Sequence, residues 1–149
     1  DVETSSNGNY NLATSMWLIS EPNPGSQPNQ SIIAAEIMFW TYATDGLFNP
    51  AGRKYGEVTV AGETWEVWYE KNWYDTSGVN RNRWAYVSFK AKNLGFKTTI
   101  NALELLRYAI HEKLISDSLL IADIELGNEV MSGEGMTWVK DFNVHSAIK

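Results

Sequence analysis

Cysteine is absent from the 149 residues. That excludes disulfides, thiolate metal sites and cysteine nucleophiles, and it fits an oxidising or a reducing compartment equally well. Histidine is nearly absent too. His111 and His145 stand far apart on segments of different type, too little for a histidine metal centre or a Ser-His-Asp triad. Positive charge is scarce: 12 Lys and Arg against 18 Asp and Glu leave a net charge of −6. This is the reverse of the basic footprint that a phosphate backbone needs, so no nucleic-acid partner is expected. Long apolar runs are also missing, and the opening "DVETSSNGNY" has neither a positive n-region nor an apolar core. The chain reads as soluble, with no membrane partner and any signal peptide already removed.

What the chain has in unusual measure is aromatic rings: 7 Trp, 7 Tyr and 5 Phe. Flat rings fill β-sheet cores, and they stack on the apolar faces of sugars. At this length one domain, 1–149, around one core is expected, burying roughly 70% of the surface that the unfolded chain exposes.

Turn signals recur at short intervals: Asn7-Gly8, the loop Glu21–Gln30, Asp45-Gly46, "NPAG" at Asn49–Gly52, Ala61-Gly62, Ser77-Gly78 and "SGEG" at Ser132–Gly135. Between them lie the candidate strands Tyr10–Ile19, Ile32–Tyr42, Glu57–Val60, Thr64–Glu70, Arg83–Lys92, Leu119–Met131 and Met136–Val144. "VTVAGETWEVW" predicts a hairpin closed at Ala61-Gly62. This spacing predicts an all-β sandwich or barrel. One segment differs. In "NALELLRYAIHEKLIS" the residues Leu103, Leu106, Ile110 and Leu114 recur at helical spacing, and Asn101 with Glu104 resembles a capping box. It predicts one amphipathic helix against the outside of a sheet, with His111 solvated. "NQS" at Asn29–Ser31 fits a glycosylation sequon, a coincidence to be expected in a turn-rich loop.

The segment "IIAAEIMFWTY" at Ile32–Tyr42 holds one carboxylate, Glu36, among apolar and aromatic residues. Alternation sorts Ile32, Ala34, Glu36, Met38, Trp40 and Tyr42 onto one face and Ile33, Ala35, Ile37, Phe39 and Thr41 onto the other. A carboxylate, a methionine and aromatics on one face compose a sugar-binding groove better than a dry core. The alternative is a Glu whose charge a buried Arg or Lys meets, and no basic residue inside the candidate strands fits that part. In "LLIADIELGNEVM" at Leu119–Met131, Asp123, Glu125, Gly127, Glu129 and Met131 share one face, which reads either as a solvated face or as a second catalytic strand. Gly127 removes a side chain beside Glu129, leaving room for a ligand or a strand. Two carboxylates on one cleft are the minimum equipment for glycosidic hydrolysis: one ionised, to attack or to activate water, and one protonated, to donate to the leaving oxygen. Trp17, Trp40, Trp68 and Trp138 are candidate sugar platforms, each competing with an ordinary place in the core.

Four blocks carry a resemblance. "GNYNLATSMWL" at Gly8–Leu18, "EIMFW" at Glu36–Trp40, "VTVAGETWEVW" at Val58–Trp68 and, after a single helix, "ELGNEV" at Glu125–Val130 together resemble glycoside hydrolase family 12 across nearly the whole chain. The resemblance implies an all-β, concanavalin-like jelly-roll sandwich of two curved antiparallel sheets, with one helix packed outside and substrate in the concave cleft. It implies a secreted, retaining endo-β-1,4-glucanase or xyloglucanase that needs no cofactor and no metal, with Glu36 as nucleophile, Glu129 as acid/base, and Met38 and Trp40 beside the nucleophile. Two departures stand out. Ser15 occupies the place of an acid found in many members close to the nucleophile, so a less acidic activity optimum is expected. The strands that precede the first block in the family are not in this sequence, which leaves open a second chain or segment supplying them, a fragment of a longer product, or a reduced domain with open edges. The competing readings are a non-catalytic carbohydrate-binding jelly roll and a jelly-roll β-1,4-xylanase.

Overall fold

The computed structural model describes residues 1–22, 32–44, 49–74, 82–93 and 95–146. The Asp45-Gly46 and Ser77-Gly78 turns, most of the Glu21–Gln30 loop and the Asn29–Ser31 sequon lie outside the described residues. The elements run β1 (Val2–Ser6), β2 (Asn9–Ile19), β3 (Ile33–Ala43), β4 (Arg53–Val60), β5 (Glu63–Tyr74), β6 (Arg83–Ala91), α1 (Ala102–His111), β7 (Leu120–Gly127), β8 (Val130–Ser132) and β9 (Gly135–Val139). Strand β1 has no counterpart in the sequence reading, because "VETSS" buries only Val2 and shows no apolar alternation. The expected hairpin is present: Ala61 and Gly62 join β4 to β5 with φ of 52° and 83°. Both central residues in the left-handed region are what a two-residue turn needs to match strand twist.

Strands β4-β5-β6-β3-β2-β7 form one sheet in that order, with β8 also pairing to β2, while β1 and β9 form a second, two-stranded sheet. All pairs are antiparallel except β3–β6, which is parallel. This corrects the expectation of wholly antiparallel sheets. Alternation reports which face a side chain takes and carries nothing about strand sense. Here the meander β4–β5–β6 returns its last strand to β3 in the same direction.

One face of the large sheet is the core. Ala35, Ile37 and Phe39 of β3, Val67 of β5, and Val87 and Phe89 of β6 are fully buried, and α1 covers them with Leu105 and Ala109, followed by Leu114 and Ile115. Asn101 caps the helix by accepting from the Glu104 backbone N–H at 3.3 Å. The expected apolar stripe is partly corrected, since Leu103 is 56% exposed. Leu105 and Ala109, four residues apart, centre the contact, and Leu103 lies almost on the opposite side of the helix. His111 is exposed and meets the Glu112 carboxylate at 3.0 Å.

The expected strand Leu119–Met131 is broken. It ends as β7 at Gly127 and resumes as β8 at Val130, leaving Asn128 and Glu129 between them, so strict parity does not carry through to Glu129. Two turns lock β8 in place. Asn7 and Glu134 exchange bonds, Asn7 N–H to the Glu134 carbonyl at 3.2 Å and Glu134 N–H to Asn7 Oδ1 at 3.0 Å. Gly8 approaches Ser132 so closely that a Cβ there would sit 1.8 Å from its carbonyl oxygen. The small sheet is tied on by Thr4 Oγ1 and Tyr10 OH at 2.8 Å, and by the Val2 N–H donating at 2.9 Å to the carbonyl of Phe96, whose ring lies tilted against Tyr42 with centroids 4.6 Å apart.

Candidate active site

The face of the large sheet opposite the helix carries the polar and aromatic half of each strand. Register places Glu36 of β3 between Trp17 of β2 and Tyr86 of β6. Trp84, two residues before Tyr86 and therefore on the same face, donates its indole N–H to Glu36 Oε2 at 2.9 Å. Burial holds the Glu36 carboxyl near 7, up from 4.5; the Trp84 bond opposes this, and the negative charges of Glu129 and Glu125 add to it. Glu36 therefore senses the charges of both other carboxylates. The Tyr86 phenol, pressed by burial and by Glu129 and Glu36, is held far above the usual tyrosine range.

Glu129 owes its place to Asn11, a fully buried residue of β2. Asn11 Nδ2 donates to Glu129 Oε2 at 2.5 Å, Asn11 Oδ1 accepts the Glu129 backbone N–H at 2.8 Å, and the Asn11 backbone N–H donates to the Glu129 carbonyl at 3.2 Å. Asn128 Nδ2 in turn donates to the Asn11 carbonyl at 2.6 Å, and Thr137 Oγ1 of β9 donates to Asn128 Oδ1 at 2.7 Å. The break between β7 and β8 is thus a hydrogen-bonded corner that aims a carboxylate. Burial of that carboxylate raises its proton affinity, and the Asn11 donor works against the rise.

Ser15 falls opposite Met38 on β3 and Glu125 on β7. Its hydroxyl donates to Glu125 Oε2 at 3.4 Å. Register sets Trp17 directly opposite Glu36 and Ser15 diagonally across from it on the same face. The half-buried Trp17 donates its indole N–H to the same Glu125 oxygen, also at 3.4 Å, and meets Trp84 edge-on with centroids 5.5 Å apart and ring planes at 73°.

The other sequence candidates separate. Met38 is buried, its sulfur accepting from Tyr86 OH at 3.2 Å. Trp40 is 2% exposed and packs with Ala13, Met38 and Tyr86, so it is buried on the same face as Glu36 and presents no free ring, a correction to its expected role as a platform. Trp68 of β5 lies opposite Ser88, on the same face as Glu36 but two strands away, about 10 Å at ordinary strand spacing. Trp138 is on β9 of the small sheet, paired with Glu3. Its neighbour Thr137 points to the Asn128 corner, so alternation turns Trp138 away, and its expected role over the carboxylates is corrected. Among the described residues a Cβ at Gly127 would meet nothing within 4 Å, so none of their strands requires the glycine. Asn11, Trp84 and Tyr86 were missed as site residues. "RWAYVSF" shows the alternation of Trp84 and Tyr86 openly, but only sheet order reveals that this strand borders Glu36.

Residues 2–147 match the family described as Glycosyl hydrolase family 12. Endoglucanase S of Pectobacterium parmentieri is 26% identical over 140 residues, which is 92% of this chain and 49% of that protein. Among solved structures, the native family 12 xyloglucanase from Bacillus licheniformis superposes with a TM-score of 0.77 at 24% identity, covering 91% of this chain and 55% of that one. Endoglucanase cel12A from Rhodothermus marinus gives a TM-score of 0.67 at 22% identity, over 92% of this chain and 61% of that one. These superpositions identify the two sheets and single helix as the jelly roll expected from the sequence. The chain spans about half the length of the curated relative it matches. With a match across nearly all of its residues, the chain belongs to glycosyl hydrolase family 12.

Proposed function

We propose that this chain carries the catalytic face of a retaining endo-β-1,4-glycan hydrolase acting on β-glucan, cellulose or xyloglucan chains, with Glu36 as nucleophile and Glu129 as general acid and then base. One observation carries the reading: carboxylates from β3 and from the β7–β8 corner face one space, close enough for the charge of Glu129 to raise the proton affinity of Glu36. The names of relatives support the substrate class, one an endoglucanase and another a family 12 xyloglucanase with a ligand complex.

In the first step the Glu36 carboxylate attacks the anomeric carbon while Glu129 gives its proton to the leaving glycosidic oxygen, forming a glycosyl ester. In the second, Glu129, now ionised, takes a proton from water, whose oxygen attacks the anomeric carbon and releases Glu36. Burial raises the proton affinity of both carboxyls, and the productive arrangement keeps the proton on Glu129 and leaves Glu36 ionised. The Trp84 N–H favours that arrangement because it stabilises Glu36 only when Glu36 is ionised. Trp17 and Trp68 offer ring surface to sugars on the same face. A polymeric substrate of this kind is met outside the cell, which supports reading the protein as secreted.

Reducing-sugar release from soluble β-glucan tests the reading. Glu36→Gln and Glu129→Gln should each abolish release while glucan binding persists, and the first product anomer seen by NMR should be β. If both variants release sugar at the wild-type rate, the catalytic assignment of the two carboxylates is wrong; a wild-type chain that binds glucan and releases no sugar would make the face a glycan-binding one, and faster release from xylan would reassign the substrate.

A further inference from the structure

Glu125 takes no part in the two chemical steps, yet it is the acceptor on which two side chains of β2 converge. Ser15 Oγ and Trp17 Nε1 both donate to its Oε2 at 3.4 Å. From Trp17 the contacts continue inward: its ring meets Trp84 edge-on at 5.5 Å, and the Trp84 N–H ends on Glu36 at 2.9 Å. Glu125 lies on the exposed edge strand β7 and Glu36 on the inner strand β3, with β2 between them. Two tryptophans with little rotameric freedom therefore bridge an edge carboxylate to a central one.

We infer that Glu125 is a positioning residue for Glu36, fixing the Trp17 indole that braces Trp84 and placing a second negative charge, besides that of Glu129, toward the Glu36 carboxylate. This rests on the reading of Glu36 as nucleophile and adds a third carboxylate to its control. The hydrogen bond sets geometry: an unanchored Trp17 would let the Trp84 N–H drift from Glu36. The charge sets ionisation, since a like charge nearby disfavours the ionised form of Glu36. Other titratable groups around Glu36 are Glu129 at the β7–β8 corner and Tyr86 opposite it on β6. Asp123 lies opposite Trp17, and Glu70 of β5 lies opposite Tyr86.

The test separates charge from hydrogen bonding and does not depend on turnover. The indole Nε1–H resonances of Trp84 and Trp17 in the full chain, assigned with Trp84→Phe and Trp17→Phe, are followed by NMR from pH 4 to 9. The Trp84 resonance reports ionisation of its partner, Glu36. Glu125→Gln keeps an oxygen acceptor and removes the charge, so the Trp84 midpoint should move to lower pH while the Trp17 resonance holds its position. Glu125→Ala should lower the midpoint and also shift the Trp17 resonance to that of an unanchored indole. On β-glucan the acid limb of kcat/KM should follow the same direction, with kcat falling more than KM rises in the alanine variant. An unchanged Trp84 midpoint in Glu125→Gln, or an unchanged Trp17 resonance in Glu125→Ala, overturns the inference. Both resonances can shift in a chain that cleaves no glucan, which would leave the positioning intact and remove only the hydrolase reading.

Discussion

The indole N–H of Trp84 reaches Glu36 Oε2 at 2.9 Å, so the carboxylate on the inner strand rests on a neutral donor and not on a cation. The bond favours the ionised form and works against a proton affinity that burial lifts to about 7. Trp84→Phe keeps most of the ring and removes the N–H. Without it the Glu36 carboxyl should rise further, moving the acid limb of kcat/KM on β-glucan to higher pH. A hydrogen bond to a charged group contributes about 1.5–3 kcal/mol, so activity at pH 6 should fall by about tenfold or more, with a smaller loss at pH 8. An acid limb that stays in place would show that Trp84 does not govern Glu36.

Asn11 makes a comparable bond at the other carboxylate, with more of the fold resting on it. It is fully buried and satisfies both the backbone and the side chain of Glu129. Asn11→Ala should destabilise the chain by about 1–3 kcal/mol, because buried polar groups at the β7–β8 corner lose their partners. Asn11→Asp keeps the shape but sets a carboxylate against a carboxylate, so the Glu129 proton affinity should rise and the basic limb of the pH–rate profile should move up. Urea denaturation and a kcat/KM profile of the two variants separate the structural part from the electrostatic part.

Gly8 acts from further away. A Cβ there would lie 1.8 Å from the Ser132 carbonyl oxygen and 2.8 Å from Gly133 Cα, both backbone atoms. Gly8→Ala must therefore push β8 off β2, and β8 begins immediately after Glu129. A misplacement of about 1 Å in a catalytic group can lower turnover by about 10²-fold. The expected outcome is a loss of that order in kcat on β-glucan, with the fluorescence of the buried Trp65, on the helix-covered face, unaltered. Wild-type kcat in this variant would mean that the β8 turn does not hold Glu129.

What the sequence showed and what it hid divide along a physical line. Alternation in Ile32–Tyr42 put Glu36 on the face opposite Ala35, Ile37 and Phe39, and the structure keeps that division because a strand has only two faces. Trp84 and Asn11 could not be reached in this way. Their relation to the carboxylates depends on β6 lying parallel beside β3 and on β8 returning to β2, pairings that join residues 48 and 118 positions apart. Ser15 shows the same limit in reverse. The family motif put it close to the nucleophile without showing that its hydroxyl turns to Glu125 and that Trp17 stands directly opposite Glu36. Trp40 was visible as an aromatic on the right face, but its burial depends on Tyr86 and Ala13 from two different strands.

Glu36 should also reveal itself through stability. Its folded-state value of about 7 stands above the ordinary 4.5, so between these pH values the folded chain holds a proton that the unfolded chain has released. Stability then falls as pH rises through this window, the penalty being absent below about 4.5 and complete above about 7. Glu36→Gln removes the ionisable group and keeps an acceptor for the Trp84 N–H. The variant should match the wild type in urea denaturation at pH 4 and exceed it by about 1–2 kcal/mol at pH 8, less than the full gap in proton affinity because water still reaches a half-buried carboxylate. Equal gains at the two pH values would point to packing and not to charge, and a loss confined to pH 8 would mean that the ionised Glu36 stabilises the fold. The predicted gain at pH 8 comes in the same variant that should be inactive on β-glucan, as expected where a site keeps a carboxylate in surroundings that disfavour its charge.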